Sequence, residues 1–264
     1  MVSHAEPSAA SWPDPAGDRH RSLANFRDLG GLPLTGGGLT RPGVLYRSDT
    51  MYPGDVAPTQ APFWPPAVVV DLRSPGESAT GGYCWPAGVR VDQIPLLRRA
   101  AVVTGRRDRG SGPEARRPVR LESLYLAMLQ AVPGKLASLV SLAANATGPV
   151  LVHCAAGKDR TGVAVAVLLM AAGVEPASVI ADYTATAPRI PVLLSRLQVL
   201  GRRLPADADE HPELLGAPVE AITAVTERLA SWPGGLPGWL AAHGASPDDA
   251  PRWRDRLAGP DLRG

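Results

Sequence analysis

The sequence predicts an α/β protein: a central, mostly parallel sheet flanked by helices, followed by a helical second half. Three observations carry this expectation. Ala67 to Leu72 (AVVVDL) is a continuous β-branched run ending on charge, the pattern of a strand buried on both faces. Pro149 to His153 (PVLVH) repeats it and passes through a loop of small residues into an unbroken apolar helix, Gly162 to Ala172, ended by Gly173. After that point every periodic segment has helical spacing: Pro176 to Tyr183, Val192 to Arg203, Val219 to Leu229, Leu236 to His243 and Asp248 to Leu257. Strands in the middle with helices after them are the signature of an α/β core.

The remaining elements follow in order. Residues 1–21 are rich in Pro, Ser and Asp and read as a disordered lead-in, with one domain over 22–260. Gly30-Gly31 and Gly36-Gly37-Gly38 flank short apolar pieces and mark tight turns or hairpins, and Val44 to Tyr46 is a short strand. Five prolines between Pro53 and Pro66 exclude a long helix there. Val89 to Ile94 is a weaker strand candidate. Arg98 to Arg120 carries eight arginines with Gly and Pro and little periodicity, so a mobile loop is expected, facing solvent or clamping an anion. Leu121 to Val132 and Lys135 to Ala146 are helices separated at Pro133-Gly134.

Composition narrows the class. Of 264 residues, 45% are hydrophobic and 20% charged, enough to fold a core, and no apolar run reaches the roughly 20 residues of a membrane span. The N-terminus lacks the basic start and apolar core of a secretory signal, so a cytoplasmic protein without stable membrane insertion is expected. A net charge of +2 gives no ground for nucleic-acid binding. Nearly all basic residues are arginine, Lys135 and Lys158 being the only lysines; with abundant Ala, Gly and Pro, this reflects base composition. Two cysteines, Cys84 and Cys154, are too few for a disulfide framework and lack zinc-site spacing, which turns attention to thiol chemistry.

The chemistry concentrates in Val150 to Val163 (VLVHCAAGKDRTGV). A strand delivers Cys154 to a loop whose backbone N–H groups and following helix N-terminus create positive potential, surroundings that lower a thiol pKa from about 8.5 toward roughly 3.5 to 7.5. Ala155, Ala156 and Gly157 let an anion approach the backbone, and Arg160 can return its planar fork to two oxygens. Cys-x5-Arg alone is weak: Cys84 to Arg90 also satisfies it, but Pro86 removes an N–H and Arg90 leads into a strand. Only Cys154 combines His153 before it, Gly157, Arg160 and a hydroxyl residue after, a joint match expected by chance on the order of once in ten thousand. If the strand alternates, His153 points away from Cys154 and serves as a buried partner that orients the loop. The Asn25 to Gly31 turn either packs against that loop and orders it or is a tight bend.

At these residues the chain resembles the cysteine-dependent phosphatases of the tyrosine and dual-specificity superfamily. NFRDLGG at 25–31, GVLYRSD at 43–49, VVDLRSPGE at 69–77, Asp182-Tyr183 and GWLAAHG at 238–244 are similar to the motifs of the atypical bacterial tyrosine-protein phosphatases, some of which also act on phosphoinositides. The resemblance covers nearly all of residues 22–260. It implies a phosphatase-like α/β fold and a two-step hydrolysis of a phosphorylated protein or phosphoinositide through a phosphocysteine, with no metal and no cofactor. Cys154 would be the nucleophile and Arg160 the holder of the equatorial oxygens, with Ala155, Ala156, Gly157 and Lys158 binding phosphate. Thr161 would hydrogen-bond the leaving thiolate. It also implies Asp159 as general acid, with Asp108 in the arginine-rich loop and Asp71 at a strand end as rivals, and part of 184–216 as a helical lid. Lys158 would add charge as in phosphoinositide-active relatives, and Cys84 is a passive thiol or a redox partner of Cys154. The alternatives are a pseudophosphatase that binds phosphorylated ligands without turnover, and a rhodanese-type sulfurtransferase, which Arg160-Thr161 disfavours.

Overall fold

The computed structural model describes residues 21–79, 82–96, 120–200 and 215–258. Five strands form one sheet: β1 (Arg27–Asp28), β2 (Leu45–Ser48), β3 (Val68–Asp71), β4 (Arg90–Gln93) and β5 (Val150–His153), in the order β1-β2-β5-β3-β4. β5 is central, with β2 and β3 parallel on either side and β4 parallel to β3; only the edge strand β1 is antiparallel. The register aligns Ser48, His153 and Asp71 across the carboxyl ends of β2, β5 and β3, so that the loops following these strands converge there. Such carboxyl ends are where parallel sheets gather functional loops.

The two faces of the sheet are covered differently. Val68, Val70, Leu72, Val150, Val152 and Cys154 belong to the main core beneath the helices, whereas Val69, Leu151 and Tyr46 pack into a smaller cluster with Phe26, Trp64 and Trp85. The second face is thus covered by loop aromatics, which is how strands this uniformly buried are shielded on a side where helices do not pack.

The helices are α1 (Pro75–Ser78), α2 (Leu121–Ala131), α3 (Pro133–Asn145), α4 (Asp159–Ala171), α5 (Pro176–Thr184), α6 (Ile190–Val199), α7 (Val219–Ala230), α8 (Gly235–Ala242) and α9 (Asp249–Ala258). α4 is apolar all round and buried from Thr161 to Leu169, which makes it the central helix of the core. The break between α2 and α3 falls at Val132, one residue earlier than the sequence suggests: Pro133 occupies the first turn of α3, where its missing N–H costs nothing, and the axes bend by 77°. The Trp253 indole donates to Leu168 O at 2.8 Å, tying α9 to α4. α6 starts two residues before the periodicity and ends at Val199; Arg203, the Arg98 to Arg117 part of the arginine-rich loop with Asp108, and residues 201–214 of the 184–216 segment lie outside the described residues. Among the described residues no single helix is long and apolar enough to cross a membrane.

Candidate active site

β5 carries Cys154 to the carboxyl edge of the sheet, where it is 2% exposed, and the chain turns through residues 155–158 into α4. The carbonyls of this loop are all turned outward and bound. Thr50 Oγ1 donates to Cys154 O at 2.7 Å and Thr50 N to Ala155 O at 3.2 Å. The Asn25 amide donates to Ala156 O and Gly157 O, both at 3.0 Å, and Arg47 Nη2 to Gly157 O at 2.7 Å. With these carbonyls bound, the N–H groups of Ala155, Ala156 and Gly157 meet no protein acceptor among the described residues. N–H groups with no internal acceptor beside a helix N-terminus are the donors that an anion would take. Gly157 makes the turn possible, since its φ is +65° and a Cβ there would lie 2.4 Å from the Ser48 backbone.

The tethers are themselves anchored. Arg27 Nη1 donates to Asn25 Oδ1 at 2.6 Å, fixing which way the amide faces, and Arg27 Nε donates to Asp182 Oδ1 at 2.9 Å. Arg47 Nη1 pairs with the other oxygen of Asp182. Burial opposes the charge on Asp182, but these two guanidiniums outweigh it and hold its pKa below the usual range, while desolvation leads in lowering Arg27 to about 10. Asp49 takes the Asn25 N–H at 2.9 Å and Arg196 Nε at 3.1 Å, so Arg196, only 1% exposed, pins α6 to the segment after β2.

Arg160, in the first turn of α4, is held by Glu77 through two bonds of 2.9 and 3.0 Å, with Nη1 3.5 Å from Leu72 O. Glu77 in turn accepts from Ser74 N and Oγ at 2.9 and 2.8 Å, a capping box on α1. Burial raises the Glu77 pKa, yet Arg160 and Ser74 bring it to about 2. Arg160 is likewise raised against its burial by Cys154, Glu77 and Asp159. A guanidinium oriented from one side by a carboxylate keeps a fixed fork for an anion.

Lys158 and Asp159 are joined. Lys158 Nζ donates to Asp159 Oδ1 at 2.6 Å and to Gly216 O at 3.0 Å, and Tyr125 Oη donates to the same Oδ1 at 2.7 Å. Thr161 Oγ1 is buried with no hydrogen-bond partner, so the bond to Cys154 implied by the resemblance is not made in this structure. His153 faces away from Cys154, as alternation predicts, with Nδ1 3.2 Å from Thr50 Oγ1; desolvation leads in lowering its pKa to about 4, which makes it neutral at pH 7. Asp71 grips Arg73 through both oxygens and accepts from Ser78, the arrangement of a structural carboxylate. Cys84 is exposed in a loop between Tyr83 and Trp85, whose rings meet edge to face, and Arg90 pairs with Asp92 on β4. The second Cys-x5-Arg therefore has no cradle.

Of the two readings open for the Asn25 to Gly31 turn, the structure shows the one in which it packs against the loop, through the Asn25 amide; Glu77 as the partner of Arg160, and Tyr125 and Tyr183 beside Asp159, were not foreseen from the sequence. Tyrosines on the apolar faces of α2 and α5 were the available signal, because a buried phenol needs a partner for its hydroxyl. Among the described residues no group of three or more His, Cys, Asp or Glu is placed to hold a metal.

Comparison with known proteins places these features together. A family model described as the tyrosine phosphatase family matches residues 19–259. A protein of Cupriavidus necator named as a tyrosine-protein phosphatase is 31% identical over 166 residues, 61% of this chain and 60% of that protein. The triple specificity protein phosphatase PtpB of Mycobacterium tuberculosis is 34% identical over 124 residues, 42% of this chain and 44% of that protein. The matched stretches thus span about half the length of these relatives.

Proposed function

Because this chain belongs to the tyrosine phosphatase family, we propose that it hydrolyses phosphomonoesters, phosphotyrosine first among them, through a phosphocysteine intermediate. The observation that carries this reading is the loop after Cys154, whose carbonyls are bound by Thr50, Asn25 and Arg47 and whose Ala155, Ala156 and Gly157 N–H groups have no acceptor among the described residues, which leaves them for a phosphate. An oxyanion entering it meets preorganised donors that need no reorganisation as charge develops. Cys154 Sγ attacks phosphorus, an S–P bond forms and the P–O ester bond breaks, with Asp159 giving its proton to the departing oxygen. Water then attacks phosphorus, Asp159 takes the water's proton, and the S–P bond breaks to release phosphate and the thiolate. Arg160, fixed by Glu77, holds two equatorial oxygens throughout, and Thr161 is available to donate to the departing sulfur.

The residue set Cys154, Arg160 and Asp159, with Ala155, Ala156, Gly157, Lys158 and Thr161 at the phosphate, forms one site in a single domain over 22–260. The triple specificity in the name of the mycobacterial relative favours more than one class of substrate, and with Lys158 at the loop phosphoserine, phosphothreonine and phosphoinositides are the further substrates proposed. A low cysteine count fits a reducing, cytoplasmic setting. The test is hydrolysis of p-nitrophenyl phosphate in EDTA by wild type and Cys154→Ser. Turnover lost in the variant supports the reading, and turnover surviving in it assigns the wrong nucleophile. A folded, reduced wild type that binds phosphate without turnover is a phospho-ligand binder instead. Lys158→Ala should lose more activity on phosphoinositides than on phosphotyrosine; equal losses would remove Lys158 from substrate choice.

A further inference from the structure

Asp159 meets a buried pair of tyrosines that the mechanism above does not use. Tyr125, on α2 and fully buried, lies 34 residues away in sequence and donates to Oδ1 at 2.7 Å. Its oxygen lies 2.8 Å from Tyr183 Oη of α5, and the two rings meet edge to face with centroids 5.9 Å apart. A phenol has one proton to give, so with the Tyr125 proton on Asp159 the Tyr183 hydroxyl donates to Tyr125. Direction is thereby set along the chain: Tyr183 to Tyr125 to carboxyl. Burial and the adjacent Asp159 raise both phenols above their ordinary range, Tyr125 strongly, so both keep their protons at neutral pH. Among the described residues, charged groups facing the cluster are Lys158 from the loop, Arg160 from α4 and, acting on Tyr183, Arg47 from β2. Packing holds the pair in place: a Cβ at Gly162 of α4 would lie 2.9 Å from the Tyr183 ring, so α4 and α5 approach closely only because that residue is glycine.

We propose that Tyr125 is a positioning residue for Asp159, its hydroxyl fixing the carboxyl's rotation through Oδ1 so that the proton passed to the leaving oxygen is carried on Oδ2, with Tyr183 orienting that hydroxyl in turn. The proposal rests on the reading of Asp159 as general acid. Tyr125 and Lys158 share one oxygen, and a carboxyl pinned at one oxygen presents the other in a fixed direction. Both donors also favour the ionised carboxylate, which suits the second step, where Asp159 takes a proton from water.

The experiment compares wild type, Tyr125→Phe, Tyr183→Phe and Asp159→Asn on phenyl phosphate, whose leaving group needs a proton, and on 2,4-dinitrophenyl phosphate, whose leaving group does not. Asp159→Asn should lose about a hundredfold in kcat/KM, which reports only the steps up to the phosphocysteine and not its hydrolysis, on the first substrate and little on the second. Tyr125→Phe should show the same contrast at about tenfold. Its kcat/KM profile should also keep its shape while the alkaline limb, which reports deprotonation of the acid, moves to higher pH, because a donor to the ionised form is gone. Tyr183→Phe should shift in the same direction by less, and it serves as the test should Tyr125→Phe not fold. Equal losses on both substrates in Asp159→Asn would overturn the acid assignment and this proposal with it. Contrast in Asp159→Asn without contrast or limb movement in the tyrosine variants would overturn the proposal alone, assigning the tyrosines to packing.

Discussion

Removing the Asn25 side chain is the sharpest test of the tethered loop. Asn25 is fully buried and its amide makes three bonds: Nδ2 to Ala156 O and Gly157 O, each at 3.0 Å, and Oδ1 from Arg27 Nη1 at 2.6 Å. Gly157 O keeps its Arg47 bond in Asn25→Ala, but Ala156 O has no second donor among the described residues and Arg27 loses one acceptor. At about 1 kcal/mol for each of the two loop bonds, roughly 2 kcal/mol of the organisation of the cradle is lost. If the loop must be in this form to bind the transition state, kcat/KM for p-nitrophenyl phosphate falls about thirtyfold. The same loss corresponds to a melting shift of about 5 °C for a chain of this size. Asn25→Asp separates packing from tethering: it preserves shape and the Arg27 bond but turns an acceptor oxygen toward two carbonyls, so it should be at least as damaging to kcat/KM as Asn25→Ala. A lowered melting temperature with kcat/KM within about twofold of wild type in both variants would refute the argument that these bonds preorganise the site.

Two further outcomes follow from the buried charges. Glu77→Gln should reduce kcat/KM about tenfold by loosening the Arg160 fork; the Glu77 pKa is depressed from 4.5 to about 2, so the stability it contributes is complete above about pH 4.5 and is lost as pH falls toward 2. Melting curves of wild type and variant should therefore differ most near neutral pH and converge below pH 3, and a gap that stays constant to pH 2 would contradict the ion pair's role. His153, neutral and buried against Thr50 and close to Asp71, Arg73 and Arg160, has its pKa depressed from 6.5 to about 4, so the unfolded chain binds a proton first and stability falls as pH drops from 6.5 to 4. His153→Asn should flatten that part of the stability profile; an unchanged slope would place the acid sensitivity elsewhere.

Much of this molecule is local, and what is local is readable in the chain. Val68–Asp71 and Val150–His153 announce themselves because a parallel strand buried on both faces must be apolar at every position, and α4 because a helix at the centre of a core must be apolar all round. The candidate loop is equally local: Cys154, Gly157, Asp159 and Arg160 lie within seven consecutive residues, so their spacing alone suggests an anion cradle at a helix start. Boundaries moved by a residue or two where capping overrides periodicity, as at Pro133. What only the tertiary structure decided is which buried polar groups meet. Asn25 reaches Gly157 across 132 residues, Glu77 reaches Arg160 across 83 and Tyr125 reaches Asp159 across 34. Hydrophobic periodicity reports that a side chain is buried and on which face, but a buried hydrogen bond depends on the register and crossing of elements distant in sequence. Pattern therefore located the Cys154 loop, and packing chose the residues that hold that loop, Arg160 and Asp159 in place.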